Sequence, residues 1–123
     1  MAKRRMFCSD ITSSDAFQDM PLSAQALYFH LGMNADDDGV VNSPKAIQRS
    51  LGASPDDLKI LVAKRFVIPI AESEIVVIKH WKINNLIQKD RYTPSKYQRE
   101  LAMLELDENK AYKEKAPSLL DTL

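Results

Sequence analysis

The sequence predicts an α+β fold, mainly α: a winged helix-turn-helix with a C-terminal extension helix. Three observations lead there. Ser43-Pro44 and Ser54-Pro55 each start a short helix, and the turn between the two helices holds Gly52, the pattern of a helix-turn-helix. Residues 66–78 then form an apolar, β-branched run broken at Glu72-Ser73-Glu74, which reads as a two-stranded ribbon. A basic aromatic strip follows, Lys79-His80-Trp81-Lys82-Ile83-Asn84-Asn85 and then Lys89-Asp90-Arg91-Tyr92.

Taken in order, residues 1–12 read as an arm or an edge strand, residues 13–92 as the winged-helix domain, and residues 93–123 as a C-terminal helix and tail. A helical turn over residues 15–20 ends at Pro21. The first long helix starts with Ser23 as N-cap. Its spacing puts Ala24, Leu27, Tyr28 and Leu31 on one face and Phe29 and Met33 on roughly the other. A helix apolar on two sides is either deeply buried or packed against another chain. Residues 34–39 break it, and Val40-Val41 is a brief strand.

In the second helix Ile47 and Leu51 point inward, with Lys45, Gln48 and Arg49 on the other side. Gly52 closes that helix. The third helix carries a capping signal, an acid three places after Ser54. Leu58, Leu61 and Val62 are its expected core face, while Asp56, Lys59, Ile60, Ala63 and Lys64 face outward. Pro69 places the first ribbon strand at an edge or a bulge. A last helix is expected from Pro94, capped by Thr93, with Tyr97, Leu101 and Leu104 as its stripe. Beyond Asp107 the tail is expected to fray.

The 123 residues suit one domain with room for a core. The single cysteine, Cys8, excludes an intrachain disulfide and a cysteine-based zinc site, and points to a reducing, cytoplasmic setting. No apolar run reaches membrane-spanning length, so no membrane partner is expected. Net charge is zero, but it is segregated. Lys3, Arg4 and Arg5 open the chain, every charge from Asp10 to Asp38 is acidic, and six basic residues between Lys79 and Arg99 face one Asp. Local clusters set the potential a phosphate backbone meets.

Chemistry finds little support. Alternate acids before Gly39 resemble the start of a calcium loop, but its twelfth position, which needs a bidentate Glu, is Lys45. An exposed acidic turn is the simpler expectation, or a docking patch for a basic partner. His30 and His80 are isolated, no Gly-x-Ser-x-Gly elbow exists, and the three glycines lie too far apart for a phosphate loop. No enzyme activity and no cofactor are expected.

DNA contact is expected from Lys45, Gln48 and Arg49 on the second helix and Lys59 and Lys64 on the third. Lys89, Arg91, Lys96 and Arg99 beyond the ribbon complete the set. Their role would be to position phosphates more than to read bases. Trp81 either closes the core or, with Tyr92, stacks on unpaired bases. Asp56-Asp57 at the start of the third helix and the acidic ribbon turn weaken base reading.

Several blocks resemble the N-terminal domain of phage replisome organisers, the replication initiation proteins of phages and prophages of Gram-positive bacteria. They are Lys3-Arg4-Arg5-Met6-Phe7, the pair Asp15 and Phe17, Gln25-Ala26-Leu27-Tyr28-Phe29-His30-Leu31, Asn34-Ala35-Asp36-Asp37-Asp38-Gly39, Phe66-Val67-Ile68-Pro69 and, most specifically, His80-Trp81-Lys82-Ile83-Asn84-Asn85 leading to Lys89-Asp90-Arg91-Tyr92. The likeness runs to about Tyr97, and that family is related in fold to the N-terminal domain of DnaD-type primosome proteins. It implies a winged-helix domain that binds duplex origin DNA or a replication partner such as a helicase or its loader, and that self-associates. Two alternatives remain: a protein-interaction or oligomerisation module without DNA binding, and a small transcriptional regulator.

Overall fold

Prolines and caps set the helix starts. The computed structural model describes residues 4–70 and 74–115, and its elements run α1 Ser9–Thr12, α2 Asp15–Gln18, α3 Leu22–Met33, β1 Val40–Val41, α4 Pro44–Ser50, α5 Pro55–Ala63, β2 Val67–Pro69, β3 Val76–Ile78, α6 Trp81–Asn84, α7 Gln98–Leu101, β4 Leu104–Leu106 and β5 Tyr112–Glu114. The fold is α+β, with a three-stranded antiparallel sheet ordered β1-β3-β2 and a separate β4-β5 hairpin. Pro69 lies on β2, at the edge of the larger sheet, where a missing N–H breaks no ladder. Among the described residues no helix is long and apolar enough to cross a membrane.

Helix α3 is the centre of the core. Leu27, Tyr28 and Leu31 are fully buried, against Leu61 of α5 and the inner faces of β2 and β3. Its second apolar side is covered from within the chain: Phe29 meets Phe7 edge-on at 4.9 Å and Phe17 at 5.7 Å between ring centres. Such pairs each add about 0.5–1.5 kcal/mol beyond area burial. Met33 is half exposed.

Four local expectations are corrected. The N-cap of α3 is Pro21, and Ser23 lies in the first turn, its hydroxyl donating to Asp57 Oδ1 at 2.8 Å. Ser43 makes no cap bond to α4; its hydroxyl donates to Asn42 Oδ1. Gln48 is buried and Leu51 partly exposed, the reverse of the expected facing. Of the arm and edge-strand alternatives for the opening, the strand fails over the described residues 4–8, which belong to no ladder, and α1 follows.

The largest correction concerns the C-terminal helix. Thr93 and Ser95 donate their backbone N–H groups to Asp37 and Asp38, and the chain is not helical there. A single helical turn, α7, is all that forms. Leu104 then belongs to a hairpin, not to a helical stripe. Asp107 does not fray. Its Oδ1 accepts from the Asn109 and Ala111 N–H groups and shapes the turn to β5, where Tyr112 is buried. The ribbon turn's Glu72 and Ser73, Lys3, and Leu119, Leu120 and Leu123 of the expected tail lie outside the described residues.

Candidate nucleic-acid interface

The surface expected to meet phosphates is built by α4, the turn after it, and α5. Pro44 opens α4, which places Lys45 and Arg49 one turn apart on its exposed side. Gly52 takes the left-handed conformation after the helix, at φ +73°. The buried Gln48 amide donates to the Ala53 carbonyl and fixes this turn. Helix α5 then starts with a full capping box. Ser54 Oγ accepts from the Asp57 N–H, and Asp57 Oδ2 accepts from the Ser54 N–H at 2.9 Å. Asp57 is thereby buried and occupied, leaving Asp56 as the exposed acid of this helix end.

Between α4, α5 and the β2–β3 ribbon lies a groove of about 700 Å³. Lys45, Gln48, Arg49 and Lys59, four of the nine expected contact residues, line it. The other five lie elsewhere. Lys64 Nζ approaches the Ala16 carbonyl at 3.5 Å. Lys96 lines a smaller crevice of about 310 Å³ with Asp36, Asn42 and Tyr97, and its ammonium sits 5.3 Å from the Tyr97 ring. Lys89, Arg91 and Arg99 are exposed, beyond α6 and on α7. All eight cations are exposed, and among the described residues none forms an ion pair. The expected contact residues thus divide: Lys45, Gln48, Arg49 and Lys59 line the groove, Lys64 stands apart at the end of α5, and Lys89, Arg91, Lys96 and Arg99 follow the chain after the ribbon.

The groove also shows residues that sequence reasoning misplaced. Leu58 and Val62, expected in the core, are only partly buried and line it, with Pro44, Pro69, Ile75 and Val76. Leu61 alone among the three is fully enclosed. Ile60, expected to face outward, is instead partly buried and packs against the core like Leu58 and Val62, so spacing alone did not divide the apolar residues of α5 between its neighbours.

The basic aromatic strip works mainly as an internal lock. Trp81 is 1% exposed and its indole N–H donates to the Asp37 carbonyl at 2.9 Å, so it stacks on no base. Lys82 pairs with Asp38 at 3.0 Å. Asn84 accepts the Cys8 N–H and donates to the Tyr28 hydroxyl, and Asn85 accepts the Met6 N–H. Burial, then the neighbouring Lys79, lowers the His80 pKa. The shift favours the neutral imidazole.

The acidic loop is the other half of this lock, and the expectation of an exposed acidic turn is overturned. Asp37 and Asp38 are 2% and 4% exposed. Asp37 pairs with the buried Arg5 at 3.2 Å, and the Arg5 guanidinium lies 5.3 Å from the Trp81 ring. Asp38 accepts from Lys82, from the Tyr92 hydroxyl and from the Ser95 N–H, while its carbonyl accepts from the Tyr112 hydroxyl. Asp36 Oδ1 accepts the Asp38 and Val40 N–H groups. With their acceptors engaged inside the chain, Asp37 and Asp38 cannot serve as a docking patch. Among the described residues no group of three or more His, Cys, Asp or Glu is placed to hold a metal ion.

Comparison with family models, with curated proteins and with solved structures gives no match to this chain.

Proposed function

We propose that this chain is a non-enzymatic winged-helix module that helps assemble a phage-type DNA replication initiation complex by holding DNA through its phosphates. The observation that carries the reading is the gathering of Lys45, Arg49 and Lys59 on one groove, all exposed and none ion-paired among the described residues. The element order supports the winged-helix part. A helix, a short strand, two helices joined by a four-residue turn and a two-stranded ribbon follow one another, and the ribbon pairs back onto the first strand.

The division of labour follows from charge. Lys45, Arg49 and Lys59 neutralise phosphates at the groove, and Lys89 and Arg91 extend the contact along the chain after α6. Base reading is not part of the proposal. Asp56 precedes Lys59 on the helix that would enter a groove, and Glu74 stands on the ribbon side. The resemblance to phage replisome organisers supplies the replication setting. Self-association through the second apolar side of α3 loses its main argument, because Phe7 covers Phe29.

A salt titration of binding to duplex and single-stranded DNA tests this reading. Log affinity should fall linearly with log salt, with a slope of about −0.9 for each phosphate neutralised on a duplex. Replacing Lys89 and Arg91 by Ala should shrink the slope by about two units or less. No DNA binding at low salt would refute the reading. A second reading, docking of a protein partner, is favoured by one separate observation, the apolar lining of the same groove.

A further inference from the structure

We propose that the groove between α4, α5 and the β2–β3 ribbon receives an acidic amphipathic helix of a partner protein. The inference rests on reading this groove as a contact surface and goes beyond it by giving the groove a protein occupant.

The floor and the rim make different demands. On the floor, Leu58 and Val62 stand one helical turn apart on α5, facing Ile75 and Val76 of the ribbon side. Leu58 and Val62 are only partly buried, so the groove leaves apolar surface in contact with water. On the rim, α4 supplies Lys45 and Arg49 and α5 supplies Lys59, against Glu74, the one acid among the described lining residues. A DNA backbone satisfies the cations but inserts nothing apolar. The helix face that would read base edges offers Leu58 and Val62 where side-chain donors and acceptors are needed.

An acidic amphipathic helix satisfies both. Apolar anchors repeating at i, i+3 or i+4, and i+7 fill a groove of this kind. Carboxylates flanking them meet the cations, whose charge steers the encounter and fixes the register. The volume, about 700 Å³, lies in the range of clefts that bury a ligand of moderate size. The choice of an acidic occupant follows from three cations against one acid among the described lining residues. Occupancy by the helix and by DNA would be mutually exclusive, since both use Lys45, Arg49 and Lys59.

The probe is a synthetic fluorescent peptide of about 14 residues, with leucines at helical anchor spacing and glutamates between them. Anisotropy titration against the full chain should give saturable binding. The double variant Lys45→Glu, Lys59→Glu should bind about tenfold more weakly, and a peptide with lysines in place of the glutamates should restore its binding. Val62→Ser, checked for folding by circular dichroism, should also weaken binding, and Glu74→Lys should strengthen it. Absence of saturable binding, equal binding to the charge-reversed variant, or failure of the lysine peptide to rescue it would each overturn the proposal. Insensitivity to Val62→Ser in the folded protein would do the same, because it would reduce the contact to charge alone. Duplex DNA run in parallel separates the two readings. Duplex without peptide binding removes this inference and leaves the phosphate reading, and peptide without duplex binding does the reverse.

Discussion

The Tyr92 hydroxyl stands 2.8 Å from each carboxylate oxygen of Asp38. Together with the Lys82 ammonium and the Ser95 N–H on the same carboxylate, it clamps the segment after α6 onto the loop before β1. Lys89 and Arg91 lie on that segment, so the clamp decides where they are presented.

Tyr92→Phe removes the hydroxyl and leaves the ring. A cost of about 1 kcal/mol is expected, the size of one hydrogen bond at a partly exposed site. Hydrogen exchange at the Thr93 and Ser95 amides should speed up while the α3 amides keep their protection. Equal acceleration in α3 would mean the clamp is not a local device.

The clamp responds to acid. Burial works against the Asp38 charge, but the hydrogen bonds from Ser95, Tyr92 and Lys82 outweigh it and hold the pKa below the usual carboxylate range. A lowered folded-state pKa gives stability that is present above the unfolded value, about 3.9, and lost as pH falls through the lowered one. Asp38→Asn should therefore flatten the acid limb of a stability–pH curve measured by urea unfolding. An unchanged acid limb would place the titrating group elsewhere. At the alkaline end, loss of solvent contact and then the Asp38 carboxylate push Tyr92 up to about 12. Its contribution is present below the ordinary tyrosine value, about 10, and fades as pH rises through the folded one.

Arg5 and Asp37 form the most enclosed ion pair of the chain's described residues, with side chains 2% and 0% exposed. Arg5 also donates to the Ala35 carbonyl at 2.8 Å. Removing one charge strands the other, so Arg5→Ala should destabilise by about 3–5 kcal/mol, while Arg5→Met with Asp37→Leu should recover much of that loss. Chemical denaturation of the three proteins checks this. A loss below 1 kcal/mol for Arg5→Ala, the range of an exposed pair, would contradict the assignment.

How much of this was legible depends on the range of each interaction. Several signals within a few residues were read correctly, among them the Ser54–Asp57 capping box, Pro44 and Pro55 at helix starts and Gly52 after α4, but the N-cap roles read for Ser23 and Ser43 were not. The hairpin of β4 and β5 was missed because Tyr97, Leu101 and Leu104 happen to fit helical spacing. The competing alternation, Leu104 and Leu106 opposite Tyr112 and Glu114, only acquires meaning once the backbone at Thr93 and Ser95 is tied to Asp37 and Asp38. Those ties, like Arg5 to Asp37 across 32 positions, are tertiary. No local pattern marks an aspartate that will be buried. The cations of the site were legible by type, but which of them meet at the groove was not, since that depends on how α4 and α5 pack.

Gly39 offers a sharp test of the loop. It has φ +88°, and a Cβ there would lie 2.5 Å from Trp81 Cγ. Gly39→Ala should cost more than about 2 kcal/mol through combined strain and overlap. Gly52→Ala, with φ +73° and open space around it, should cost only about 1–2 kcal/mol, the left-handed backbone penalty alone. Thermal melts of the two variants should separate clearly, and equal losses would show that the Trp81 contact is unimportant.

The decisive measurement is the salt dependence of duplex DNA binding by the intact chain beside the triple variant Lys45→Ala, Arg49→Ala, Lys59→Ala. If the groove cations hold phosphates, the slope of log affinity against log salt should shrink by about two to three units in the variant. A slope identical in both proteins, or no duplex binding by either at low salt, would contradict a DNA contact through this groove.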